Sequence, residues 1–207
     1  ASEVTAYYMF MVRDHLKAAQ DTALLETVRP SLDFAAKTQL DWLRAHDFTM
    51  DFNGDETEQY CCNHDGEEYG GFVKEGYAWN VHALSFPSMV AALASLEWYA
   101  QLLDGEAEKA ALAADLKTLR DKIDAVFRDA SRGGVHAWAA VPTQDGYRHH
   151  AGQLTNYMLF PLWIGAVLNE NGEQRDADAV KEFVRADGFL PNCPQAMPGF
   201  CGHTMGM

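Results

Sequence analysis

FPSMVAALASLEWYAQLLDGEAEKAALAADLKTLRDKIDAVF, residues 86–127, decides the fold class. Phe86, Val90, Leu93, Leu96, Tyr99 or Ala100, and Leu103 recur at steps of three and four, which is the spacing of one face of an α-helix. Asp104 and Gly105 then supply a stop, with glycine expected in the left-handed conformation that ends helices. Beyond it, Leu112, Leu116, Leu119, Ile123 and Val126 line one face of a second helix whose other face is charged. A short turn between two amphipathic helices predicts an antiparallel hairpin.

Working outward, the same periodicity fills most of the chain. Val4 to Gln20 reads as a helix rich in Tyr, Phe, Met and Leu. Leu25, Val28, Leu32, Ala35, Ala36 and Leu43 give another, in which Pro30 predicts a start or a kink because proline lacks the amide hydrogen of the helical ladder. Further helices are expected at about Leu154 to Leu168 and Asp176 to Arg185, with a loose strand pair over Gly133 to Val141 before a second loop, DGYRHHAGQ. Trp98 and Trp163 fall at inward-facing helical positions. A polar, Gly- and Pro-rich tail closes the sequence. The reading is all-α, a set of helical hairpins with long intervening segments. No fixed-period repeat of the solenoid kind is present.

Composition bounds the function. The 207 residues are 48% hydrophobic and 12% aromatic, enough for one ordinary core. A formal charge of -14 argues against nucleic acid, which requires clustered Lys and Arg. The longest apolar run, Tyr157 to Leu168, contains Pro161 and is shorter than the roughly 20 residues of a membrane span. The chain opens Ala-Ser-Glu, with neither a basic nor an apolar leader region, so any export signal is expected to have been removed or to lie off this piece. Cys61, Cys62, Cys193 and Cys201 are too few and too irregularly spaced for a disulfide scaffold. No nucleophile elbow, phosphate-binding loop or dinucleotide fingerprint occurs.

The chemistry is concentrated between the second and third helices, in HDFTMDFNGDETEQYCCNHDGEEYGGFVKEGYAWN, residues 46–80. Asp51, Asp55, Glu56 and Glu58 crowd beside Tyr60, Tyr69, Phe72, Tyr77 and Trp79. Acids among aromatics suit a neutral polyhydroxylated ligand: rings stack on the apolar face of a sugar while polar groups bond its hydroxyls. Tyr77 and Trp79 are the stacking candidates, Asn80 and His82 the hydroxyl partners. Arg148, His149 and His150 of the second loop are candidates to reach the same cleft.

Three stretches carry a family resemblance: LLETVRPSLDFAAKTQLDWL, then FNGDETEQYC, then YAWNVHALSFPSMVAALASLEWYAQLLDGEAEKAALAADLKTLRDKIDAVFRD. In that order they resemble the six-hairpin glycosidases, the (α/α)6 barrels that include glucoamylase-like and α-L-rhamnosidase-like hydrolases. The resemblance spans residues 1–207 as a partial catalytic domain, about half of such a toroid. It implies that a missing barrel segment or a partner chain covers the helix faces otherwise left bare. The ending PGFCGHTMGM reads as the start of another helix, in keeping with a fragment.

By the same resemblance the general acid falls in FNGDE, giving Glu56 as first choice and Asp55 as second. Nearby Asp51 and Glu58 would disfavour ionisation of one member, which is the tuning a general acid needs. Glycoside hydrolysis commonly requires a second carboxylate, roughly 6.5 to 9.5 Å away in inverting enzymes and about 5 Å in retaining ones. In glucoamylase-like relatives the base comes late in the barrel, so here it is expected past Met207. Asp51 joins Tyr77, Trp79, Asn80, His82 and His149 as the expected substrate-binding set.

Neither cofactor nor metal is expected. Asp51, Asn53 and Asp55 imitate the start of a calcium loop, but Glu56 and Cys62 stand where an EF-hand needs glycine and a bidentate acid. A looser calcium site built from the same acids is an alternative. Zinc is another, since Cys61, Cys62, His64, Cys193, Cys201 and His203 are of ligand type but lack the C-x-x-C spacing. Two further alternatives are a sugar epimerase on the same toroid, with His82, His149 or His150 as proton carriers, and a helical domain that only binds carbohydrate or zinc.

Overall fold

The computed structural model describes residues 3–50, 84–137, 139–149 and 160–181. These form a mostly helical assembly. Helix α1 is Glu3–Ala19 and α2 is Thr22–Ala45. Gln20 turns the chain with φ of 52°, and Asp21 caps α2 by accepting from the Leu24 amide at 2.9 Å. Ala6, Met9, Phe10 and Val12 of α1 pack with Leu32, Ala35, Ala36 and Leu43 of α2 in one buried cluster.

Pro30 does not start its helix; it lies inside α2. The proline is exposed, so the carbonyl deprived of its helical donor can be met by water.

Strand β1, Leu84–Ser85, leads directly into α3, Phe86–Ala100. Ser85 caps α3 by accepting from the Ser88 amide at 3.2 Å, and Pro87 occupies the first turn, where a missing amide hydrogen costs nothing. Helix α3 is buried almost all the way round. Ala91, Ala92, Ala94 and Ser95 keep its outline narrow, which lets α1, α2, α4 (Glu106–Phe127) and α5 (Phe160–Ile164) all pack against it. Burial of each large residue such as Leu93 contributes about 1.5–3 kcal/mol relative to exposure.

Between α3 and α4 the chain corrects one expectation. Helix α3 ends at Ala100, and Gly105 adopts φ of -77° as the N-cap of α4, so it is not a left-handed stop. The turn is secured from α2 instead, where the Arg29 guanidinium donates to the Leu102 carbonyl. Helix α4 then packs back on α3 through Leu112, Leu116, Leu119, Ile123, Val126 and Phe127, the face predicted from the sequence plus one residue. Arg120 bridges the pair, binding Glu97 of α3 and donating to the Val167 carbonyl at 2.9 Å. Burial pushes the Glu97 carboxyl up, against the opposing pull of Arg120.

The C-terminal end of α4 carries the β-structure. Strand β2 (Arg128–Asp129) pairs antiparallel with β3 (Val135–His136), while β4 (Ala139–Thr143) lies between β1 and β5 (Gly146–His149). Gly146, at φ of 124°, sits at the β4–β5 turn, in a conformation few other residues adopt. The hairpin therefore lies later than expected and takes in the first half of the segment read as a second loop.

Helix α5 is described over Phe160–Ile164. Phe160, Pro161 and Ile164 form its buried side, leaving Leu162 and Trp163 outside. Trp163 is 60% exposed, in contrast with the inward position expected for it, because Gly165 ends the helix with φ of 78° before another turn can form. Trp98 is buried as expected. After a 3-10 turn at Asn169–Asn171, α6 (Gly172–Lys181) packs on β3. It starts earlier than the sequence suggests. No helix among the described residues is long and apolar enough to cross a membrane.

Candidate functional site

Two corners of the fold hold the polar groups with chemical potential. The first is the point where the chemical segment joins the helices. The Ser85 amide donates to the Met50 carbonyl at 2.8 Å, so the two flanks of residues 51–83 meet side by side. Met50 itself is buried, and Ser85 and Ser88 share a buried hydroxyl hydrogen bond of 2.7 Å at the head of α3. Leu84 pairs with Ala140, which pairs in turn with His149. His149 thus stands level with Leu84 one strand beyond β4, roughly 10 Å away at ordinary strand spacing.

Of the predicted site residues, Asp51, Asp55, Glu56, Tyr77, Trp79, Asn80 and His82 lie outside the described residues, as do His150 and the six candidate zinc ligands. His149 is described. Its Nε2 donates to the Val126 carbonyl at 2.8 Å, and its Nδ1 lies 4.0 Å from Asp129. That bond uses one of the α4 carbonyls for which the helix has no donor of its own. Only Nδ1 is left for a further role. Arg148 lies in β5 opposite Val141.

The second corner went unmarked in the sequence. His136 in β3 is buried between two carboxylates. Its Nδ1 is 2.9 Å from Asp176 Oδ2 of α6, its Nε2 is 2.9 Å from Asp124 Oδ1 of α4, and its backbone amide donates to Asp176 Oδ1 at 3.0 Å. Ionised carboxylates only accept, so two such contacts require hydrogen on both ring nitrogens, the imidazolium form. The Phe86 ring stacks on the imidazole at 5.2 Å between centroids, within cation–π range.

Burial pushes the His136 pKa down, but its hydrogen bonds to Asp124 and Asp176, together with their charges, more than reverse it and hold it above the ordinary value. Burial would likewise raise Asp124, yet its hydrogen bond to His136 leads the effects that hold it below the usual carboxylate range. Arg128 adds a cation 3.3 Å from Asp124 and bonds Glu170 at 2.9 Å. The cations His136 and Arg128 stand at the C-terminal end of α4, where the helix dipole favours positive charge.

Chemically this cluster is a brace. Asp176 is fully buried, and the two acids occupy opposite edges of the ring, so their oxygens do not converge on one point. Among the described residues, no group of three His, Cys, Asp or Glu side chains is arranged to hold a metal ion.

A third feature is an open groove of about 260 Å³ between α2, the end of α3 and the start of α4, floored by Ala36, Leu40, Leu103 and Leu112. On its rim Lys37 pairs with Asp41 and Arg44 with Asp115, and Tyr99 donates to Asp33 at 2.8 Å. Burial, followed by the Asp33 contact, pushes the Tyr99 phenol up to about 12.

No family model, curated protein or solved structure matches this chain.

Proposed function

We propose that this chain is part of a glycoside hydrolase of the six-hairpin kind, acting on a carbohydrate by carboxylic general-acid catalysis. Glu56 is the acid and Asp55 the alternative. The reading rests on the resemblance of the helical and acidic stretches to that family and on the crowding of acids with aromatics in residues 51–80. The observation that carries it furthest is the junction. The acidic, aromatic segment is spliced in at one point, where Met50 and Ser85 are hydrogen-bonded at the head of the fully packed helix α3. A rigid helix end is a suitable mount for groups that must be held in place for catalysis. Completion of the ring and the general base are assigned to a further barrel segment or a partner chain.

The test is reducing-sugar release from a panel of polysaccharides and aryl glycosides by the intact protein. Hydrolysis predicts release that falls by about 10²–10⁴-fold in Glu56→Gln, the usual contribution of a general acid. An unchanged rate in both Glu56→Gln and Asp55→Asn overturns the assignment of the acid. Isomer interconversion without release identifies an epimerase, and affinity without either identifies a binding domain.

A further inference from the structure

We propose that Asp124, His136 and Asp176 form a proton-operated clasp, in which the doubly paired imidazolium fastens α6 and β3 to the end of α4 and loss of its proton loosens α6. The three groups come from three separate elements, and among the described residues His136 is the side chain that hydrogen-bonds both acids. A neutral imidazole has one N–H, so after deprotonation one of the two carboxylates faces a ring lone pair at hydrogen-bond distance. Asp176 is fully buried and cannot turn to solvent for a substitute.

The ring itself has little room to move. Phe86 stacks on one face, and a methyl group built on Gly172 of α6 would come within 2.9 Å of its Cε1. Relief must therefore come from movement of an element. Helix α6 is described over ten residues and packs on β3 and α5, whereas the 22-residue α4 is anchored along its length on α3.

The other charges around the cluster are all engaged. From α4 and β2 come Arg128, paired with Asp124 and Glu170, and Asp129, which accepts from Ser131 and lies 4.0 Å from His149. From α6 come Arg175, donating to the Gly134 carbonyl, and Glu173, accepting from the Leu168 amide. Helix α3 contributes the uncharged Phe86. Arg128 shields Asp124 in part; Asp176 has no cation besides His136 among the pairs described.

The sign of the response follows from the direction of each shift. The His136 contribution is complete below the ordinary histidine pKa and is lost as pH rises through the higher folded value. The Asp124 contribution is present above the ordinary carboxylate pKa and is lost as pH falls through the lower folded value. The clasp is thus closed between the two folded values and opens as pH rises through that of His136.

The experiment is hydrogen exchange of the intact protein, followed as protection factors from pH 5 to pH 10, alongside nitrogen shifts of the His136 ring. The expected result is both ring nitrogens protonated at pH 6, and a fall of about tenfold or more in protection of the α6 amides as the ring titrates, with α3 unchanged. In Asp176→Asn, which keeps the shape but removes one charge, the midpoint should move down by about one pH unit. The proposal is overturned if the ring carries a single proton at pH 6, or if α6 protection stays level while His136 titrates. Both readouts are made on the unaltered protein, so a variant that fails to fold does not decide the matter.

Discussion

Around α3 the molecule is held by close apolar packing from every side, whereas α6 is held to the same body by a histidine between two acids. The contrast is one of dependence on conditions. Burial of hydrocarbon is indifferent to protons and salt, while a buried ion triad exchanges solvation for pairing and keeps its balance only while every member is charged. The α3 region should therefore behave as a fixed scaffold, and the α4–α6 corner as the part whose stability the surroundings can set.

The sharpest way to break the contrast is Asp176→Ala. Removing one partner of a buried pair leaves the imidazolium and the His136 amide short of an acceptor, with an expected loss of about 3–5 kcal/mol near pH 6. Because the wild type itself gives up this contribution at alkaline pH, the gap between the two proteins should narrow as pH rises, as urea titrations at pH 6 and pH 9.5 would reveal. Leu93→Ala in α3 should cost about 3 kcal/mol by leaving a cavity, with equal loss at both pH values. A pH-dependent loss there would erase the distinction between the regions.

The smallest effect is expected from Gly172→Ala. Its new methyl group would press on the clamped His136 ring and cost about 1–3 kcal/mol, although alanine favours the helix. Thermal melts would show a lowered Tm; an unchanged or raised Tm would mean that the ring yields, and that the clasp is looser than its hydrogen bonds indicate.

How much of this was legible in the sequence depended on the range of the interaction. The buried face from Leu112 to Val126 could be read because helical periodicity is a local signal, and the caps at Asp21 and Ser85 obey equally local rules. Pro30 does not start a helix, and Gly105 begins one where it was expected to end one, because the effect of either residue depends on context. Trp163 was placed inside on the assumption of a long helix that Gly165 cuts short.

The clasp could not be read at all. His136 is one histidine in a short apolar stretch, and its partners lie 12 positions before it and 40 after it. Nothing in the spacing of Asp124 or Asp176 sets them apart from the other acids of two charged helices. His149 was singled out as part of the second loop, and the fold places it in β5, level with Leu84, while committing its Nε2 to the Val126 carbonyl.

The single hydrogen bond between Met50 and Ser85 has an evolutionary corollary. When a connection leaves and re-enters a scaffold at neighbouring atoms, its length is nearly free to vary, since each doubling of a flexible link costs only about 0.6 kcal/mol in closure entropy. The junction is thus a socket through which one contiguous stretch enters and leaves the scaffold at neighbouring atoms.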